Sequence, residues 1–321
     1  MTARPFAGLR VTLVAAFNPR YHRSGLALAA ALAELGCEVR RCEERLRGWN
    51  AVWRRPLVAR LGAVLERAPA DLVLVFKGTK LQPADVADLK RRRGGRWVNW
   101  FPDDPHQLGV SLVLGPAYDC FFTHDSSSLE RHRRAGTRAH YLAFGCDAEF
   151  LRPPLSERPG RRDALVFVGS RDAGREAILR TLVEAGIAVS VFGPGWPTGP
   201  VYGGDFVQAL SRAGLGLNIH QHFADGADAA RYGTGANMRV FELAAVGTPQ
   251  LSDAKADIAR HFTPGREIVL YGSVDELRAR ARELLADAPA RRSLAAAARE
   301  RALREHTWRH RMEELLTVTL R

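Results

Sequence analysis

The sequence lacks long apolar runs. No stretch of about 18 uncharged apolar residues occurs, so we expect no transmembrane helix. The apolar run near the N-terminus lacks the long apolar core and small-residue cleavage site of a signal peptide, and it predicts a first strand instead. These absences favour a cytoplasmic protein.

Cysteine and lysine are scarce too. The four cysteines, at positions 37, 42, 120 and 146, form no C-x-x-C pair, and no cysteine–histidine cluster has the spacing of a zinc site. We expect reduced thiols and no metal site. Lysine occurs four times against 43 arginines in a chain with a net charge of +12.

Such a basic chain could bind nucleic acid or an anionic membrane face. The arginines are spread through the sequence together with alanine, which indicates a compositional bias more than a binding patch. No nucleic-acid-binding motif is present, so we expect no nucleic-acid partner. Peripheral contact between the basic surface and a membrane stays open.

Strand and helix signals alternate along the 321 residues, of which 46% are hydrophobic. This alternation predicts parallel sheets with helices on both faces. It is interrupted by a proline- and arginine-rich segment at 147–162, which is typical of a linker. We therefore predict an N-terminal domain over 1–152, a C-terminal domain over 163–304 and a closing helix over 305–321.

The segment YGTGANMRVFELAAVG, residues 232–247, joins a glycine loop to an apolar helix that we expect to begin near Gly235. A helix N-terminus with close backbone approach suits a pyrophosphate. Arg239 would add positive charge, and Glu242, three residues on, shares its face and could bind ribose hydroxyls. The pattern is equally typical of a glycine-capped amphipathic helix with an exposed Arg–Glu pair.

Residues after parallel strands border the crevice in which ligands bind. Asp103 and Asp104 follow the strand WVNWF, and we predict that one of them is a general base. The alternative is that both order a proline-flanked turn, and paired carboxylates could also bind Mg²⁺. Asp125 and His22 are the other candidates for the base, although a lone loop histidine is more often polar surface.

Several segments together resemble a known family. The N-terminal half contains VFKGTKLQP, WVNWFPDDP and FFTHDSSSLERHRRAGTRAHYLAFGCD, and the C-terminal half contains NMRVFELAAVGTPQLSD, EIVLY and HTWRHRMEELL. Their order and spacing resemble the spore-maturation-protein CgeB-like glycosyltransferases over nearly the whole chain. The resemblance implies a GT-B-like α/β fold of two facing Rossmann-like domains with parallel sheets and a central cleft. It also implies that the closing helix packs back on the N-terminal domain.

The resemblance further implies a donor site for a nucleoside-diphosphate sugar in the C-terminal domain, with no permanently bound cofactor and no metal. The donor residues that it implies are Glu242 for the ribose, Asn237 and Arg239 near the phosphates, and Gly169 and Ser170 after the first strand. From the residues themselves we add Thr234 and Gly235 in the glycine loop, and His220, which follows a strand of the C-terminal domain. Retaining relatives often have a second glutamate two helical turns before the ribose acid. Residues 232–235 contain no carboxylate, which argues against a retaining mechanism.

The sequence thus predicts a metal-independent glycosyltransferase with an unknown hydroxyl-bearing acceptor, which could be a glycan, a protein or a small molecule. Glycosylation of the bacterial envelope is one setting. A nucleotide-sugar epimerase or hydrolase on the same fold is the alternative. A basic, non-enzymatic binding protein is a third hypothesis, and it predicts steeply salt-dependent binding.

Overall fold

The computed structural model describes residues 4–18, 23–45, 55–153, 164–221 and 232–321. Internal contacts divide the chain into two compact units. The N-terminal unit comprises residues 1–143 and 308–321, and the C-terminal unit comprises residues 144–307. Part of the predicted linker, at 154–162, lies outside the described residues.

The described strands of the N-terminal unit form one parallel sheet in the order β2-β1-β3-β4-β5-β6. The strands are β1 (Arg10–Ala15), β2 (Glu38–Glu43), β3 (Leu72–Phe76), β4 (Arg96–Phe101), β5 (Cys120–Thr123) and β6 (Ala139–Tyr141). The helices are α1 (Arg23–Glu34), α2 (Arg55–Arg67), α3 (Pro83–Arg93), α4 (Leu108–Leu114) and α5 (Leu129–Arg134), with α11 (Trp308–Leu320) from the end of the chain. The central strands are continuous apolar runs because helices cover the sheet, and Trp97, Phe101 and Phe121 fill its core.

The last helix returns to the N-terminal unit. Helix α11 contacts α1, and the ring of Trp308 meets the ring of the buried Trp100 edge-on with centroids 5.6 Å apart. This arrangement is typical of favourable aromatic pairs. The C-terminal segment is therefore part of the packing of the first sheet.

The C-terminal unit has its own parallel sheet, with the described strands in the order β11-β10-β9-β7-β8. The strands are β7 (Leu165–Val168), β8 (Val189–Phe192), β9 (Leu215–Asn218), β10 (Gln250–Asp253) and β11 (Val269–Tyr271). The helices are α6 (Ala173–Glu184), α7 (Gly203–Ser211), α8 (Met238–Val246), α9 (Val274–Ala286) and α10 (Ala288–Glu305).

The loop after β8 closes tightly over the end of β7. Gly193 has a φ of 141°, and a Cβ atom there would lie 2.0 Å from the carbonyl oxygen of Gly169. The same carbonyl accepts a hydrogen bond of 2.9 Å from the indole N–H of Trp196. Only glycine fits at position 193, and the strand end at Gly169 is fixed as a result.

The prediction of two Rossmann-like α/β domains with parallel sheets is confirmed. Strand β2 was not predicted, since its sequence EVRRCE exposes charged side chains at the sheet edge. The helix expected near 255–262 is a short 3₁₀ turn, Ala256–Arg260. Across the described ranges, no helix combines the length and the apolarity needed to cross a bilayer.

Candidate functional site

Helix α8 begins later than the sequence predicted. Its first residue is Met238, and Asn237 is the N-cap, with an extended backbone (φ −74°, ψ 168°) and a side-chain oxygen that accepts from the N–H of Val240 at 3.4 Å. The expected start near Gly235 is wrong, because the capping asparagine ends the extended segment only at position 237. The unpaired first-turn N–H groups therefore follow Asn237.

His220 holds this helix start in place. Its Nε2 accepts a hydrogen bond of 3.0 Å from the backbone N–H of Asn237, and its Nδ1 lies 2.6 Å from Oδ1 of Asp253. The ring is buried, and both of its nitrogens are engaged within the protein. The side chain therefore orients the backbone ahead of α8, and contact between His220 and a donor stays a prediction.

The glycine loop before α8 is tied down by two further side-chain contacts. The hydroxyl of Thr234 donates to Asp257 at 2.9 Å, and the side-chain amide of Asn237 donates to the oxygen of Asn218 at 2.9 Å. Gly235 is buried between these two points. The loop therefore presents a preformed backbone at the carboxyl end of the C-terminal sheet.

Arg239 and Glu242 lie together on α8, as predicted. Nη1 of Arg239 is 2.6 Å from Oε2 of Glu242, and the two side chains are 18% and 19% exposed. The guanidinium also donates to the carbonyl of Val168 at 3.2 Å and lies 4.6 Å above the ring of Phe206. The second carboxylate oxygen of Glu242 accepts no hydrogen bond from the described chain, so it can receive one from a ligand.

Arg175 is a site residue that sequence reasoning missed. Its side chain is 11% exposed. It donates twice to the carbonyl of Ile219, at 2.9 and 3.2 Å, and to the carbonyl and hydroxyl of Ser170, at 3.1 and 3.0 Å. The predicted Gly169–Ser170 strand end is thus braced by a guanidinium. An arginine in the first turn of a helix, where its charge opposes the helix dipole, was the available signal.

The two arginines are electrostatic neighbours. Burial lowers the pKa of the Arg175 guanidinium, Asp172 and Asp253 partly offset this, and the positive charge of Arg239 lowers it further. Two guanidinium groups therefore share the carboxyl end of the C-terminal sheet. An anion bound there would relieve their mutual repulsion.

In the N-terminal unit, Asp103 lies at the carboxyl edge of the sheet, which we define by the residues that follow the strands. Its Oδ2 is 2.5 Å from Nζ of Lys77, which follows β3, and both side chains are partly exposed. Lys77 has a backbone φ of 70°, in the left-handed region that residues other than glycine rarely adopt. The pair places a cation and a carboxylate at this edge.

Asp104 points the other way. Its side chain is fully buried, accepts a hydrogen bond of 2.6 Å from the hydroxyl of Ser111, and lies 2.9 Å from Nε2 of His132. Ser111 and His132 are fully buried as well. Asp104 is therefore no candidate for the base, because its carboxylate is sealed in a polar cluster that joins the turn to α4 and α5.

Asp125 is corrected for a similar reason. It is fully buried, and its Oδ2 accepts hydrogen bonds of 2.6 Å from the hydroxyls of Ser127 and Ser128. The carboxylate orders the turn after β5. His22 lies outside the described residues. Within those residues, no group of three or more histidine, cysteine, aspartate and glutamate side chains could hold a metal ion.

Glu44, directly after β2, is a second residue that the sequence did not reveal. It is 8% exposed. Burial raises the pKa of its carboxyl to about 7, although Lys77, Lys80 and Arg45 act in the opposite direction. A carboxyl with such a pKa changes its charge near neutral pH.

Comparison with known proteins bears on both units. Residues 171–317 match a sequence family described as "Glycosyl transferase-like". A search of curated proteins finds no match. The protein is similar in structure to AviGT4, a glycosyltransferase involved in avilamycin A biosynthesis, with a TM-score of 0.68, 19% identity and coverage of 98% of this chain and 97% of that one.

Two further solved structures are similar over both units. HepE of Anabaena in complex with UDP-glucose has a TM-score of 0.67 and 14% identity over 97% of this chain and 100% of its own. Sucrose-phosphate synthase from Thermosynechococcus elongatus has a TM-score of 0.63 and 14% identity over 97% and 98%. At these identities the likeness shows the fold, which is that of GT-B glycosyltransferases.

Proposed function

We propose that this protein is a glycosyltransferase that moves a sugar from a nucleoside-diphosphate sugar to a hydroxyl-bearing acceptor. The observation that carries the proposal is the pair of guanidinium groups, Arg175 and Arg239, which donate to the carbonyls of Ser170 and Val168 at the end of β7. Arg239 itself lies in the first turn of α8. Both arginines lie within the part of the chain that matches the glycosyltransferase-like family. Fixed cations and helix N–H groups together suit a pyrophosphate.

Each donor residue then has a role. The pyrophosphate binds at the first turn of α8, and Arg239 and Arg175 stabilise the negative charge that develops as it leaves. Glu242 accepts hydrogen bonds from the ribose hydroxyls. Ser170, at the exposed end of β7, lies within reach of the same anion through its contact with Arg175. Because the chain supplies the cations, we propose that transfer needs no metal ion.

The direct test is calorimetry with nucleoside diphosphates, beginning with UDP because UDP-glucose is bound in the similar HepE structure. We expect binding that survives a chelator and exceeds the binding of the free nucleoside. Failure of every nucleoside diphosphate to bind would contradict the proposal. Products distinguish the alternatives, since an epimerase or a hydrolase converts the donor without any acceptor.

Glu242→Ala should weaken UDP binding by about 1.5–3 kcal/mol, the range for a hydrogen bond to a charged group. Removing the carboxylate also frees Arg239 to bind phosphate more tightly. Uridine avoids this complication because it has the ribose but no phosphate, and its affinity for the variant should fall by a similar factor. Calorimetry with both ligands checks this. Glu184→Ala, at an exposed position of α6, is the matched control, and unchanged uridine affinity in Glu242→Ala would refute the ribose role.

We place the acceptor at the carboxyl edge of the N-terminal sheet, where Lys77 and Asp103 lie. Four further points stay predictions. They are membership of the CgeB-like family, a cytoplasmic location, a role in glycosylation of the bacterial envelope, and membrane contact through the basic surface. A domain boundary near residue 152 is likewise kept as a proposal.

A further inference from the structure

Three charged residues follow three strands of the N-terminal sheet. Glu44 follows β2, Lys77 follows β3, and Asp103 lies two residues after β4. The strands run parallel, so their carboxyl ends share one edge. This edge is where the acceptor is proposed to bind, and transfer to a hydroxyl requires a group that accepts its proton.

We propose that Glu44 is this general base, an inference that rests on the proposed glycosyl transfer. Its carboxylate makes no hydrogen bond and no ion pair with the described chain, although the residue is more than nine-tenths buried. A carboxylate that makes no bond within the described chain is available to a ligand. A bound hydroxyl can donate its proton to this carboxylate.

Asp103 is less suited to the same task. Its Oδ2 lies 2.5 Å from Nζ of Lys77. The carboxylate of Asp103 is thus already engaged by a cation of the same sheet edge. Glu44 gains no such contact, and burial raises the pKa of its carboxyl to about 7, where a base is most effective at neutral pH.

The neighbouring glutamate fixes the backbone around Glu44. The carboxylate of Glu43 accepts from the N–H of Phe17 at 3.0 Å and from the N–H of Arg45 at 2.8 Å. Glu43 thus joins the ends of β1 and β2, and it holds the residues on both sides of Glu44. A base held by such contacts needs little rearrangement before it reacts.

Charged groups of the described residues act on Glu44 in both directions. Lys77, Lys80 and Arg45 lower its pKa and Glu43 raises it slightly. The buried phenol of Tyr118 is the other titratable neighbour, since Glu44 contributes to its raised pKa. Burial therefore outweighs the effect of the three positive charges, and the pKa of Glu44 stays raised.

The acceptor oxygen forms a bond to the anomeric carbon while its proton passes to the carboxylate of Glu44. The bond between the anomeric carbon and the phosphate oxygen breaks, and its electron pair leaves with the nucleoside diphosphate. A single displacement of this kind inverts the configuration at the anomeric carbon.

The test uses the full chain with UDP-glucose as donor and para-nitrophenyl glucoside as acceptor. The base must be deprotonated, so wild-type kcat/KM should fall as the pH drops below about 7. This decrease is the acidic limb of the pH profile. Glu44→Gln should lower kcat/KM about 100-fold or more and lose this acidic limb. UDP affinity should not change. Glu44→Asp, which keeps a carboxylate, should retain more activity and show an acidic limb.

Two measurements separate a base from a structural residue. Azide needs no proton removed, so it should form glucosyl azide from UDP-glucose with Glu44→Gln at nearly the wild-type rate. Glu38→Gln, at the opposite end of β2, is the matched control and should behave as wild type. Melting temperatures establish that each variant folds.

Several results would overturn the assignment. They are full transfer by Glu44→Gln, a product with retained anomeric configuration, or an acidic limb that persists in Glu44→Gln and disappears in Asp103→Asn. The last result would return the base to Asp103. Failure of the wild-type chain to bind or turn over any nucleotide sugar would instead refute the proposed function itself.

Discussion

Asp104→Ala should lower the free energy of unfolding by about 1–3 kcal/mol, the range for leaving a buried polar group without its partner. The carboxylate receives the hydroxyl of Ser111 at 2.6 Å and faces His132 at 2.9 Å, and none of the three side chains is exposed. Its removal takes away the carboxylate that faces His132 and one of the hydrogen bonds of Ser111, and it leaves a cavity at the start of α4. Urea unfolding followed by circular dichroism measures the change.

Two variants serve as controls for this prediction. Asp104→Asn keeps the shape and can still bond to both neighbours, so it should cost clearly less than alanine. Asp88→Ala removes an exposed carboxylate that pairs with arginines on α3, and it should cost less than about 1 kcal/mol. Equal stability of Asp104→Ala and the wild type would show that the cluster does not hold the turn.

Arg175→Met should reduce transfer about 100- to 1,000-fold, the usual effect of losing one preorganised donor to a developing negative charge. Arg175 also braces Ser170 and Ile219, so geometry and charge are lost together. UDP affinity should fall while uridine affinity holds, because the guanidinium is proposed to meet the phosphates alone. Steady-state kinetics and calorimetry provide the two readouts.

Arg175→Lys separates the two effects of Arg175. Lysine keeps the charge but cannot contact Ile219 and Ser170 at once, so it should restore part of the UDP affinity and less of the turnover. Arg180→Met, at an exposed position farther along α6, should match the wild type. If Arg175→Met bound UDP as tightly as the wild type, the pyrophosphate would have to lie elsewhere.

Most of the fold was predictable because buried parallel strands are continuous apolar runs. The segment LVLVF of β3 is recognisable without any partner. The edge strand β2 is not, since Arg40 and Arg41 point to solvent and interrupt the pattern. The residue before α8 is held by His220, which lies two residues after β9. The local glycine pattern contains no sign of this contact, and it placed the start of α8 too early.

The geometry of the candidate site was predictable only where residues close in sequence are also close in space. Arg239 and Glu242 share one helix face, and their pairing follows from a spacing of three. Asp103 and Asp104 look alike in the sequence, yet only the fold shows that the second meets His132. Glu44 and Arg175 derive their properties from burial, which depends on packing that no local pattern encodes.

The backbone of Lys77 has a consequence for engineering. Its left-handed conformation costs a residue other than glycine about 1–2 kcal/mol, a strain that glycine would not bear. Glycine, however, would remove the ammonium group that pairs with Asp103. A screen for heat tolerance alone would therefore favour glycine at position 77, although glycine removes a cation from the proposed acceptor site. Selection for stability and selection for turnover would then favour different residues at this position.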